Sequence, residues 1–162
     1  MAGDEDFLLQ VYAATRAEEV ARTGWDPACA EAFVRMQFEV QRRAYAMAYP
    51  DATWQVILLG DVPVGRVLVD RGPERMRLVD IALLPHHRSR GIGGALVAAL
   101  QAAAASCGQP LRLHAETGSR AAGLYRRLGF VETGRAGFRA EMEWRPAGAP
   151  AAPAVGRRAA HG

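Results

Sequence analysis

The chain contains no lysine; all 20 of its basic side chains are arginine. A P-loop ends in Gly-Lys-Ser/Thr, so that nucleotide-binding class is excluded. Cysteine is scarce: Cys29 and Cys107 stand far apart with no C-x-x-C spacing. That pattern excludes a disulfide framework and reads as a reduced, cytoplasmic protein. The four histidines lack metal-ligand spacing, so no metal is expected. No apolar run approaches the roughly 20 residues that cross a membrane. The acidic start (Asp4, Glu5, Asp6) is wrong for a signal peptide. The net charge of +3 comes from scattered arginines that alternate with Asp and Glu in the first half. A dedicated nucleic-acid face is thereby disfavoured, while a site for an anionic ligand is compatible.

What is present is enough for one domain with a real core, expected over residues 1–145. Apolar residues Phe7, Leu8, Val11, Tyr12 and Val20 among charges predict an amphipathic helix over 6–22. Asp26 as N-cap and Pro27 as first helical residue predict a second helix over 27–48. Three strands follow, at 54–59, 62–70 and 76–84, punctuated by Gly60-Asp61 and Arg71-Gly72-Pro73. The nearly continuous apolar end of the third predicts a central strand covered on both faces. An Ala-rich helix over 92–107, a strand at 111–115, a helix from Ser119 to Leu128 and a closing hairpin complete the order. From Pro146 the composition is Pro, Ala, Gly and Arg, which predicts a disordered tail over 146–162.

Residues 88–94, Arg88-Ser89-Arg90-Gly91-Ile92-Gly93-Gly94, lie between the third strand and the Ala-rich helix. Backbone N–H groups of a first helical turn lack intrahelical partners, and the helix dipole makes them attractive to phosphate. A dinucleotide loop would need glycine where Leu96 stands. What remains is Arg-x-x-Gly-x-Gly (Arg88, Gly91, Gly93). Together with Ile81-Ala82-Leu83-Leu84-Pro85 before it, this resembles the acetyl-CoA-binding loop of the GCN5-related N-acetyltransferases (GNAT). Ala121-x-x-Leu124-Tyr125-Arg126-Arg127-Leu128-Gly129-Phe130 resembles a second segment of that family. The two cover about residues 77–131.

The resemblance implies an α/β (α+β) fold with a central mixed, mostly antiparallel sheet flanked by helices. Members usually open with a strand; here helix-forming sequence begins within a few residues of Met1. Either that edge strand is missing or the true start lies upstream. The implied chemistry is direct attack of an amine on the thioester of acetyl-CoA, a co-substrate, with no metal. Backbone groups of Ile81, Ala82 and Leu83 would pair with the pantetheine arm. Those of Arg88, Ser89, Arg90, Gly91, Ile92, Gly93 and Gly94 would hold the pyrophosphate, with the Arg90 side chain. Tyr125 would donate to the departing thiolate, since a phenol stays protonated at neutral pH. Relatives often carry an asparagine before the tyrosine helix; here Gly118-Ser119 stands there, and Ser119 is expected to cap the helix beside the cofactor.

The general base stays open among His114, Glu116, Asp80 and a water chain. His114 has a suitable ordinary pKa, Glu116 shares its strand face, and Asp80 is an acid inside an apolar strand. Acceptor contacts are expected from the first two helices, with Trp25 the leading candidate and Phe33, Met36, Phe38, Tyr45 and Tyr49 mostly core. Glu18, Glu19, Glu31 and Glu39 read as a solvated face that could also attract a cationic amine. The expected partners are acetyl-CoA and a primary amine of a small molecule or protein, with the chain monomeric or homodimeric. The alternatives are a non-catalytic acetyl-CoA-binding domain and a basic nucleic-acid binder.

Overall fold

The computed structural model describes residues 2–147, with side chains from Asp4 onward. The elements in order are α1 (Ala2–Ala21), α2 (Pro27–Ala48), β1 (Thr53–Leu59), β2 (Val62–Arg71), β3 (Met76–Leu83), α3 (Ile92–Ser106), β4 (Leu111–Glu116), α4 (Arg120–Arg127), β5 (Val131–Ala136) and β6 (Arg139–Trp144). Local chemistry sets the boundaries. Asp26 caps α2 by accepting from the Cys29 N–H, with Pro27 next. Ser119 caps α4 by accepting from Ala122. Gly129, at φ +99°, ends α4 in a left-handed turn that brings Phe130 back onto the core. Among the described residues no strand precedes α1.

The strands form one mixed sheet in the order β1-β2-β3-β4-β6-β5. All neighbours are antiparallel except β3 and β4. That parallel pair is joined through α3, because parallel strands need a crossover. It holds register only at Met76–Leu111 and Arg77–Arg112, and beyond that the two strands separate.

The sheet separates two layers of helices. On one face Leu111, Leu113 and Ala115 of β4 pack with Val97, Leu100, Ala122 and Tyr125 of α3 and α4. On the other, α1 and α2 pack on each other and α1 lies against β2 and β3, around Leu8, Tyr12, Val34 and Phe38. A β-bulge at Val79 shifts the β2–β3 register between Val69–Leu78 and Leu68–Asp80. Without it, Arg77 and Asp80, an odd number of residues apart, would point to opposite faces.

Three expectations need correction. The end of β3, Ile81–Leu83, is only half-buried, because the split uncovers it; β2 carries the continuous buried run instead. Met36 of α2, expected in the core, is exposed, as are Val40 and Met47, because the helix packs on α1 through one stripe at Val34 and Phe38. Pro146, read as the start of the tail, is buried; residues 148–162 of that tail lie outside the described residues.

Candidate functional site

The approach to α3 is more structured than a bare glycine turn. The Leu84 N–H donates to the Val64 carbonyl (2.8 Å), and a short 3-10 turn, Pro85–His87, follows. The Arg88 Nε donates back to the Leu83 carbonyl at 3.0 Å. Ser89 sits at φ +60°, costing about 1 kcal/mol of backbone strain. Gly91, at φ +82°, is the N-cap of α3; it offers no side-chain cap, and the first turn has no acid. The N–H groups of the Ile92, Gly93 and Gly94 turn therefore keep their hydrogen-bonding capacity for an anion. The arginines around them, Arg88 and Arg90, are exposed.

Strand alternation continues this feature along β3. Because the Leu84 N–H points to β2, the backbone groups of Leu83 and Ile81 point to the opposite edge, which β4 has left. Ile81, Ala82, Leu83, Arg88, Gly93 and Tyr125 line one cleft of about 400 Å³ along this edge. Thr15 of α1 also reaches it.

A second cleft of about 290 Å³ occupies the split itself. It shares Ile81 and Tyr125 with the first and brings together Asp80, His114, Glu116 and Ser119. All four residues proposed from sequence for proton transfer thus meet in one space, although they come from both faces of the sheet. Tyr125 approaches from the α4 side, buried and tilted against Phe130 at 5.7 Å between ring centroids. Burial pushes its phenol upward, and the charge of Asp80 adds to this. Its hydroxyl therefore remains a donor at neutral pH.

Asp80 comes from the α1–α2 side. It forms an ion pair with Arg66 (3.2 Å to Nε), a guanidinium only 2% exposed. Arg66 is enclosed by Trp54, Tyr12 and Phe38, its central carbon 4.6, 5.2 and 5.9 Å from the ring centroids. It also donates to Gln41 at 2.8 Å. Burial raises the Asp80 carboxyl above its ordinary value, and Arg66 pulls it back only in part. The result is a carboxylate more basic than a surface one.

His114 is in a different setting. Its Nδ1 lies 3.3 Å from Arg77, and its Nε2 faces Arg139. Burial lowers its pKa, Arg139 and Arg77 lower it further, and Glu141 opposes them. Protonation would set a third cation between two guanidiniums, so the ring is held neutral. Glu116, at the end of β4, is exposed.

His114 also opens onto a third cleft beyond the split, walled by Tyr45 of α2, by Tyr49 at its C-cap and by Arg77, Arg139 and Glu141. The expected acceptor residue Trp25 lies elsewhere. It packs edge-on against Phe33 of α2, about 18 Å along the helix from Tyr45. Glu19, Glu31 and Glu39 pair with neighbouring arginines on exposed helix surface. Arg66, Arg77 and Arg139 are not among the residues the sequence points to, and Tyr45, expected as mostly core, lines this third cleft. For Arg66 a signal existed: a lone charge in Val62-Pro63-Val64-Gly65-Arg66-Val67-Leu68, as anomalous as Asp80 in its own strand.

A family model for the acetyltransferase (GNAT) domain matches residues 50–132. No curated protein matches the chain at a significant level. Among solved structures, one from Corynebacterium glutamicum, described as histone acetyltransferase HPA2 and related acetyltransferase, is 26% identical over 96% of both chains, with a TM-score of 0.64. The PaiA N-acetyltransferase of Thermoplasma acidophilum, in complex with coenzyme A, is 15% identical over 88% of this chain and 93% of its own, with a TM-score of 0.64. A GNAT family acetyltransferase from Elizabethkingia anophelis with acetyl-CoA bound is 16% identical over 64% of this chain and 82% of its own, with a TM-score of 0.55.

Proposed function

The chain belongs to the GNAT acetyltransferase family, and we propose that it transfers the acetyl group of acetyl-CoA directly to a primary amine of a small molecule or protein. The observation that carries this reading is the split between β3 and β4, where the unpaired edge of β3 leads from the uncapped start of α3 to Tyr125 and Asp80. The residues fit the co-substrate in two ways. The N–H groups at the start of α3 suit a pyrophosphate, and the Ile81–Leu83 edge suits an extended amide-bearing arm, taken up as an added strand. Arg90 supplies charge beside the loop. Arg88 holds the Leu83 carbonyl and so fixes where strand and loop meet.

Asp80 acts as the general base. It takes the proton from the acceptor ammonium, freeing the nitrogen lone pair for attack on the thioester carbonyl. As the carbon–sulfur bond breaks, Tyr125 gives its proton to the departing thiolate. The attacking nitrogen gives up its second proton, which returns to the tyrosinate, and the acceptor leaves as an amide while Asp80 releases its proton to solvent. Asp80 is preferred to His114 because burial raises its basicity while the arginines beside His114 lower the imidazole's. Its charge also reaches the Tyr125 hydroxyl, so acid and base lie on one path.

Release of free CoA thiol from acetyl-CoA, followed across a panel of primary amines, tests the reading. Turnover should occur with at least one amine, and Asp80→Asn should lower kcat about a hundredfold. Acetyl-CoA binding without thiol release on any amine would leave a cofactor-binding domain in place of an enzyme.

A further inference from the structure

The cleft beyond the split carries charge that acetyl transfer alone does not require. It is a slot of about 490 Å³ against the last turn of α2, walled by Tyr45, Tyr49, Arg77, His114, Arg139 and Glu141. Most of its charge is matched. Arg77 is bidentate to Glu141, and Arg135 at the rim is held by Glu132. Arg139, at the exposed mouth, is different: among the described residues it makes no ion pair with a carboxylate. Glu116, opposite it in the strand register, is exposed and forms no such pair.

The contacts of Arg139 and Arg77 with His114 cannot both be satisfied. A neutral imidazole has one acceptor nitrogen, and each of its two nitrogens faces a guanidinium. One N–H donor is therefore left over, next to a full positive charge. Burial depresses the basicity of His114, and the same excess of positive charge lowers it further. At the inner end of the slot the polarity reverses. The Tyr45 phenol, although burial dominates its behaviour, feels Asp80 on one side and Arg66 and Arg139 on the other. The slot meets the cleft of the split at His114, which lines both, so a path leads from Asp80 in the split to the unmatched guanidinium at the mouth.

We propose that the acceptor is a small amine that also carries a carboxylate, an amino acid, with its ammonium at Asp80 and its carboxylate on Arg139. This rests on the transfer reaction proposed above and names its substrate class. A guanidinium fork matches a carboxylate bidentately, so Arg139 would both bind and orient the acceptor. Tyr45 and Tyr49 flank the space between the two charged ends.

The probes are the standard amino acids, each beside its carboxamide and its decarboxylated amine. Two readouts are used: thiol release, and calorimetric binding to the CoA-saturated protein. At least one amino acid should exceed its carboxamide about tenfold or more in kcat/KM and in affinity. Arg139→Gln should collapse that preference, and Arg139→Lys should restore part of it. Because Arg139 is exposed, its substitution leaves the fold nearly unchanged. Equal use of amino acids, carboxamides and simple amines, or a preference that survives Arg139→Gln, would overturn the assignment while leaving the acetyltransferase intact. Carboxylate-dependent binding with no thiol release would do the opposite, sinking the catalytic reading and leaving the anion slot.

Discussion

On the α3–α4 face, β4 presents Leu111, Leu113 and Ala115 to an apolar core; on the α1–α2 face the same strand presents Arg112, His114 and Glu116. The donor side of the proposed site is made from backbone: a glycine N-cap, a free strand edge and one buried tyrosine. The acceptor side is made from charged side chains, most of them paired, with Arg139 the exception, and Arg66 lies fully enclosed within it. A phosphate and an amide arm are recognised by N–H and C=O groups, which need only a rigid apolar backing. An amine and its counter-charge need ionised groups, and these remain charged away from water only when paired.

The strongest way to break this contrast is to unpair the charged face. Arg66→Met should cost about 3–5 kcal/mol in urea denaturation, because Asp80 loses the cation it pairs with in a buried place. The sign of its pH dependence follows from the raised Asp80 pKa. A carboxyl whose folded pKa exceeds its unfolded value contributes stability fully present below the unfolded pKa and lost as pH rises through the folded one. The defect should therefore shrink in acid, and Arg66→Met combined with Asp80→Asn should recover much of it at neutral pH. A loss below about 1 kcal/mol in the single variant would show that the enclosure of Arg66 contributes little.

The corresponding break on the backbone face is Gly91→Glu. No atom lies within 4 Å of where its Cβ would sit, so the fold should lose only the roughly 1 kcal/mol of a left-handed residue. Acetyl-CoA affinity, measured by calorimetry, should fall at least about a hundredfold, since a carboxylate enters the anion site. Unchanged affinity would remove the loop assignment.

The two faces also differ in how much of them the sequence revealed. The backbone face is written locally. Arg88, Gly91 and Gly93 lie within one turn, and Tyr125 follows at a fixed spacing, so the loop, its strand and its helix are readable without knowing the fold. The charged face is assembled from distant segments: Tyr45 from α2, Arg66 from β2, Asp80 from β3, His114 from β4 and Arg139 from β6. Only sheet order and the bulge at Val79 bring them together, and neither leaves a periodic mark in the chain. Trp25 stands out in the sequence beside the Gly24 break, but its distance along α2 from the split depends on where β1–β3 lie, which the local sequence does not encode.

Tyr125 stands where the faces meet. Tyr125→Phe should lower kcat about 10- to 100-fold with the KM for acetyl-CoA changed less than about threefold, because only a proton donor is lost. The ring packing on Phe130 is retained, so melting behaviour should stay close to that of the parent. An unaffected rate would make the tyrosine part of the apolar backing and move the proton donor to the charged face.

The smallest effect probes whether the arginines of that face act on one another's neighbours. His114 is held below its ordinary pKa of 6.5 by burial first, then by Arg139 and Arg77. As the pH falls through 6.5, the unfolded chain takes up this proton before the folded one does. The unfolded state then binds more protons, so stability falls with the pH and is regained above 6.5. His114→Gln should remove this component of the slope between pH 7.5 and 5.5 in urea midpoints. Glu141, which burial pushes up but Arg77 pulls below its ordinary value of 4.5, titrates beneath that window. Identical slopes in the two proteins would mean that the guanidiniums reach solvent rather than the imidazole, and the charged face would then be a set of separate pairs instead of one field.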